Sequence, residues 1–187
     1  GHHAAFVVAL LVFVGSSVAL GVFQPKDDIR KRIGADCFST DTAFGYRPAE
    51  LYAMLDRYRS EDYKAHKLFI FLDLIYPLLY SVSLAIMLGY LIPLLAPEEH
   101  TRIHYLTLLP LAAAVFDVLE NLSMLLILNL REGNAAGRSD ALACFSSAMT
   151  MTKLVLVYAT LLLTVVGILL TLLAVFTRRK RPAAHAA

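Results

Sequence analysis

The stretch KLFIFLDLIYPLLYSVSLAIMLGYLIPLL, residues 67–95, sets the architecture. A bilayer's hydrocarbon core, roughly 30 Å thick, takes about 20 apolar residues as a helix. This run exceeds that length and predicts a tilted or protruding membrane span. It carries one acid, Asp73, and two prolines, Pro77 and Pro93. Proline lacks an N–H and collides with the carbonyl four residues back. For Pro77 that carbonyl belongs to Asp73, so a kink is expected beside an acid in an apolar run. Pro93 predicts a second kink near the exit.

Three further runs have the same character. They cover about 4–23, 105–130 and 147–176, the last with a start at about Ala141 or Ser147. The expected fold is an all-α integral membrane bundle of four transmembrane helices in one domain spanning 1–187. The composition agrees: 58% of the 187 residues are hydrophobic and 17% charged. Soluble domains carry about 45–50% apolar and about 25% charged residues. A net charge of +2 gives no basic footprint for nucleic acid. Two cysteines exclude a cysteine-rich scaffold. The first run is too long and unbroken for a signal peptide. In it Gly15 with Ala19, and Ser17 with Gly21, place small residues four apart, a spacing that lets another helix approach closely. Gly1-His2-His3 is assigned no function.

Residues 24–66 form a polar connection with mixed charges, including Arg30-Lys31-Arg32, which could meet lipid phosphates but reads first as a solvated run. Phe44-Gly45-Tyr46 predicts a turn. Pro48 suits the first turn of a helix over about 48–59, with Glu50 favourable near its N-terminus. Leu51, Met54, Leu55 and Tyr58 fall on one face, so this amphipathic helix is expected on the membrane surface or capping the bundle. Residues 96–104 are a short connection, making the second and third spans antiparallel neighbours.

Four spans put both termini and the 96–104 loop on one side, with 24–66 and 131–140 on the other. The basic tail, Arg178-Arg179-Lys180-Arg181 within 177–187, favours termini on the cytoplasmic or matrix side. The larger Lys and Arg count in 24–66 points the other way, and short segments weigh more in this rule. Cys37 and Cys144 fall on one side in either orientation and could form one disulfide if that side is oxidising.

Charges inside spans are costly, roughly 2.5–3.5 kcal/mol each on insertion scales, and mark sites that face protein, water or each other. Helical spacing gathers them. Asp73, Tyr76, Tyr80, Ser83 and Met87 form one stripe. Asp117, Glu120, Asn121 and Met124 form a second. Lys153, Thr160, Thr164, Gly167 and Thr171 form a third. All three should turn inward as a polar seam. At 1.5 Å per residue, Asp73 and Lys153 lie roughly 10 Å inside the face carrying the long connection, Glu120 roughly 15 Å, and Asp117 near the middle. Lys153 is therefore expected to pair with Asp73 or Glu120. Such a seam can join helices, bind a small amphiphile or relay protons. A relay is disfavoured because no histidine falls within the spans as drawn. His100 and His104, with Glu99 nearby, have helical metal spacing but no third strong ligand, and no metal is assigned.

Three motifs carry a resemblance: Phe44-Gly45-Tyr46 with Pro48-Ala49-Glu50-Leu51-Tyr52, Asp73-x-x-Tyr76-Pro77-x-x-Tyr80, and Phe116-Asp117-x-x-Glu120-Asn121. Over about 40–130 the chain resembles a largely uncharacterised family of small four-span membrane proteins, associated mainly with bacterial genomes. The resemblance implies a four-helix architecture and no reaction.

No Ser-His-Asp set, glycine-rich phosphate loop or metal cluster is legible, so no catalytic residue or cofactor is assigned. The leading expectation is a non-catalytic membrane subunit packing against other transmembrane subunits. It would sit in a larger assembly, respiratory or otherwise energy-transducing, of the mitochondrial inner membrane or the bacterial cytoplasmic membrane. Membrane lipids are its other partners, a bound phospholipid included. The alternative is a lipid- or small-amphiphile-binding protein or enzyme using the acid–tyrosine seam.

Overall fold

A computed structural model describes residues 2–22, 29, 40, 42–96, 103–134 and 136–179. Arg30-Lys31-Arg32, Cys37, Glu99, His100 and the tail beyond Arg179 lie outside the described residues.

Those residues form helices and connections. Helix α1 covers His2–Val22, α2 Pro48–Leu55, α3 Ser60–Asp73 and α4 Tyr76–Leu95. A 3-10 segment, Ile103–Leu108, leads into α5, Leu109–Arg131, and α6 covers Asp140–Arg179. Among the described residues, four helical stretches are long and apolar enough to cross a membrane: α1, α3 with α4, the 3-10 segment with α5, and α6. They are compatible with an integral membrane protein.

Proline sets two helix starts. Leu74 and Ile75 interrupt the second span, and Pro77 occupies the first turn of α4, where its missing N–H is tolerated. The expected kink is thus a two-residue break immediately after Asp73. Pro110 takes the same place in α5. Pro93, by contrast, is accommodated inside α4, which continues to Leu95. The helix of the fourth span, α6, begins at Asp140, next to the earlier of the two expected starts, Ala141 and Ser147, with that acid in its first turn, where the helix dipole favours it. At 1.5 Å per residue its 40 residues extend about 60 Å, twice a bilayer core.

Helix α4 is the hub, packing on α1, α5 and α6, and the α5–α6 pair is the most extensive contact. At Gly167 the approach of α6 to α4 is close. A Cβ there would meet Leu91 Cδ1 at 3.1 Å. Helix α1 rests on α4 through Phe6 against Tyr90, with ring centroids 5.0 Å apart, and buries only Ala9.

The amphipathic segment caps the bundle. Leu51, Tyr52, Met54 and Leu55 of α2 are buried in one cluster with Met124, Ile127 and Leu128 of α5 and Ala143 of α6. Helix α2 ends at Leu55, short of the expected 59. Its start is closed by Glu50, whose carboxylate accepts the Arg47 backbone N–H at 2.9 Å, and Asp62 does the same for Arg59 at 2.7 Å at the start of α3. Before α2, Gly45 takes φ +87°, a left-handed conformation that glycine alone adopts without cost, and turns the chain between Phe44 and Tyr46. Asp56 anchors the cap. It pairs with the buried Arg131 at the end of α5 and accepts Arg138 Nη2 at 3.0 Å. Lys67 of α3 pairs with Glu132 beyond α5.

The polarity is reversed relative to a water-soluble bundle. Leu68, Phe71, Leu78 and Val82 on α3–α4, and Val155, Leu162 and Leu169 on α6, are exposed, while Asp73, Asp117, Glu120 and Lys153 are buried. Buried charge beneath an apolar exterior is the informative departure from an ordinary protein.

Candidate functional site

The seam is assembled by α4, α5 and α6 around Lys153. Asp117 and Glu120 stand three residues apart on one face of α5, so both reach the same ammonium. Lys153 Nζ donates to Asp117 Oδ1 at 3.2 Å and is also ion-paired with Glu120. The Tyr80 hydroxyl of α4 donates to the other Asp117 oxygen, Oδ2, at 3.2 Å. The lysine and both acids are buried.

Asp73 lies at the last position of α3, and Asn121 Nδ2 donates to its Oδ2 at 3.1 Å. Asn121 is one residue beyond Glu120, so α5 presents Lys153's partners and Asp73's partner on adjoining faces. Tyr76 opens α4. Its hydroxyl shares a 3.0 Å hydrogen bond with Ser17 Oγ of α1, and its ring lies 5.1 Å from that of Tyr80. All seven seam residues expected from spacing, Asp73, Tyr76, Tyr80, Asp117, Glu120, Asn121 and Lys153, therefore belong to one neighbourhood. The pairing differs from expectation in one respect: Lys153 takes Asp117 as well as Glu120. Asp117, placed deeper by counting residues, is within reach because a lysine side chain covers the extra turn.

A cleft of about 250 Å³ runs beside this set. Its polar lining is Asp73, Tyr76, Tyr80, Asp117 and Lys153, with Thr42. Its apolar lining is Phe13 and Leu20 of α1, Leu84 of α4, and Leu154, Val157 and Leu161 of α6. Glu120 and Asn121 do not line it, but each is bound to a residue that does.

A polar layer at the start of α6 extends the seam beyond the residues expected from spacing. Tyr46 inserts there: its backbone N–H donates to Ser147 Oγ and its hydroxyl to Ser146 Oγ, both at 2.9 Å. Burial pushes the Tyr46 phenol up to about 12. Thr150 Oγ1 donates to the Ser146 carbonyl at 3.1 Å. A signal for this layer exists in the sequence, because Ser146, Thr150 and Lys153 continue one stripe at steps of four and three. His66 is a second addition. Helix α3 starts at Ser60, so this histidine does lie inside the second long helical stretch, buried, with Nδ1 3.2 Å from the Tyr58 hydroxyl. It stands one residue before the expected span of 67–95.

Cys144 is a free, exposed thiol, and its expected disulfide partner Cys37 lies outside the described residues. His104 lies in the 3-10 segment. Among the described residues, no group of three or more His, Cys, Asp or Glu is placed to hold a metal.

No protein-family model, no curated protein and no solved structure matches the chain.

Proposed function

We propose that this is an integral membrane protein that binds a small amphiphile in the cleft between α1, α4 and α6, with the amphiphile's head at the seam. The observation that carries the proposal is the cleft's mixed lining, in which Asp73, Tyr76, Tyr80, Asp117 and Lys153 stand among apolar side chains of α1, α4 and α6. Ligand sites combine a mostly apolar lining with a few convergent polar groups. About 250 Å³ suits one short chain or part of a longer one better than a whole phospholipid. This assigns the seam a binding role without a chemical step.

The test is purification in a mild detergent followed by native mass spectrometry and solvent extraction. A stoichiometric amphiphile should be retained, and Val157→Trp, which places a bulky ring in the apolar lining, should lose it while keeping wild-type helicity. Equal retention by a well-folded V157W protein, or no saturable binding of any amphiphile, would reject the assignment.

A second reading, an accessory subunit of a larger membrane assembly, is favoured by α1. A Cβ added at Gly15 or Gly21 meets nothing within 4 Å, so these small positions are not filled by the described helices of this chain. A respiratory or other energy-transducing complex of the bacterial cytoplasmic or mitochondrial inner membrane is the setting proposed for that role. The termini would then face the cytoplasm or matrix. Co-purification of other transmembrane chains, lost in Gly15→Leu, tests it.

A further inference from the structure

We infer that the cleft measures its ligand, taking one unbranched hydrocarbon chain of about eight to ten carbons, with the limit set at Phe13, Leu84 and Leu161. This length limit rests on the binding role proposed above and adds a ligand class to it.

Three helices that run along the cleft give its length separately. Its lining extends from Tyr76 to Leu84 on α4, from Lys153 to Leu161 on α6, and from Leu20 to Phe13 on α1. Those stretches rise about 12 Å, about 12 Å and about 10 Å at 1.5 Å per residue. Their far ends coincide. Helix α1 runs opposite to α4, because Ser17 meets Tyr76 while Phe6 meets Tyr90. Leu20 therefore lies at the Tyr76 end and Phe13 at the Leu84 end. Helix α6 runs in the direction of α4, because Lys153 and Tyr80 both reach Asp117 while Gly167 adjoins Leu91. Leu161 thus lies level with Leu84.

The two ends differ. Asp73 and Thr42 line the cleft on the side of the long connection, so the polar head belongs there. The other end is shut. Leu84 and Met87 of α4 are buried in one cluster with Ala9 of α1 and Ala113 of α5, and Leu161 and Ile168 of α6 pack against it. A chain entering from the polar end meets this cluster after about 12 Å. Single bonds in an extended chain advance about 1.2 Å each, since the three of one residue span at most about 3.6 Å, so the space holds about ten of them. A longer chain must press into a packed cluster or turn back out of the cleft and lose its contacts. A shorter one leaves the far end without contact partners.

The experiment uses the full-length protein in nanodiscs of long-chain phospholipid and saturated 1-alkanols with even chains from six to sixteen carbons. Empty nanodiscs give the partition of each alcohol. Affinities are then compared at equal concentration within the bilayer, where every methylene has already left water. Saturable binding should be tightest at eight or ten carbons and at least about five-fold weaker at fourteen and sixteen. Leu84 is fully buried, so the half-buried Leu161 and Phe13 are the positions to vary. Leu161→Ala should lengthen the preferred chain by about two carbons, the two bonds by which leucine outreaches alanine. Phe13→Ala should also move the preference to a longer chain. An optimum at any other length in the wild-type protein, or none, overturns the length limit while the site stands. An optimum unmoved in a well-folded L161A or F13A protein overturns the placement of the limit at that residue. Should no alcohol bind saturably, the binding role itself fails.

Discussion

Lys153→Met removes the ammonium that Asp117 and Glu120 share and keeps most of the side chain's volume. Two magnitudes compete. Hydrogen bonds between membrane helices average only about 0.6 kcal/mol, because the separated helices find other partners. Removing one member of a buried ion pair costs about 3–5 kcal/mol, because the partner charge remains. Here the second governs. Glu120 is 2% exposed and Asp117 4% exposed, and both would be left beside a methyl thioether. The expected loss is about 3–5 kcal/mol, or roughly 6–20 °C in melting temperature at the 2–4 °C per kcal/mol usual for this chain length.

The control distinguishes charge from packing. K153M combined with Asp117→Asn and Glu120→Gln removes the whole ion set while preserving shape. Neutral replacement of a buried ion set is often nearly cost-free. The triple variant should therefore recover most of the loss, because the amide introduced by D117N keeps a carbonyl oxygen that accepts the Tyr80 hydroxyl. Denaturant unfolding in detergent micelles, followed by far-ultraviolet circular dichroism, measures both. A K153M protein within about 0.5 kcal/mol of wild type, the scatter of an ordinary surface substitution, would show that the seam's charges are not buried as described. A triple variant as unstable as K153M alone would show that side-chain packing, not uncompensated charge, sets the loss.

Three further outcomes are expected. Gly45→Ala should destabilise by about 1–2 kcal/mol, because φ +87° is a left-handed conformation; Met151→Ala should not rescue it, although the added Cβ meets Met151 Sδ at 3.0 Å, and thermal melts of the single and double variants decide. Gly167→Val should push α6 from α4, with an overpacking cost of about 1–3 kcal/mol, part of which Leu91→Ala should relieve in a double-mutant cycle. Tyr46 has its folded pKa raised to about 12, above its unfolded value near 10. Its contribution is thus fully present below pH 10 and is lost as pH rises from 10 through 12, by up to roughly 3 kcal/mol at 1.36 kcal/mol per unit. Unfolding free energy measured from pH 9 to 12 should fall less steeply for Tyr46→Phe than for wild type.

The spans and the seam were legible because each depends on a period or a length. A run such as 67–95 needs no partner to be recognised, and Pro77 marks its own break. The inward stripes follow from steps of three and four. What spacing leaves open is the rotation of one helix against another, and that decides which acid takes Lys153. The sequence offers two starts for α6, Ala141 and Ser147, for a different reason. Residues 141–147 are less apolar than the rest of the span, yet Ala143, Ser146 and Ser147 are small enough to pack against α2 and Tyr46, and the helix includes them from Asp140 on. His66 escapes a hydropathy reading because residues 60–66 carry too many charges to continue the span. There the chain is helical because Asp62 closes the N-terminus and Tyr63 packs beneath α2.

The cleft itself has no sequence signature, because its volume is set jointly by side chains from five helices. The cleft opens to the outside of the bundle. Larger side chains at Val157 or Leu154 would close the space without touching a charge. The chain instead holds Phe13 and Leu20 of α1 across from α6, tied to the seam by Ser17 and Tyr76. On the binding role proposed above, a chain and a polar head would fill the open volume beside the charged residues. Asp73, which lines the cleft and stands outside the Lys153 pairs, is then the acid at which substitution should change binding more than folding.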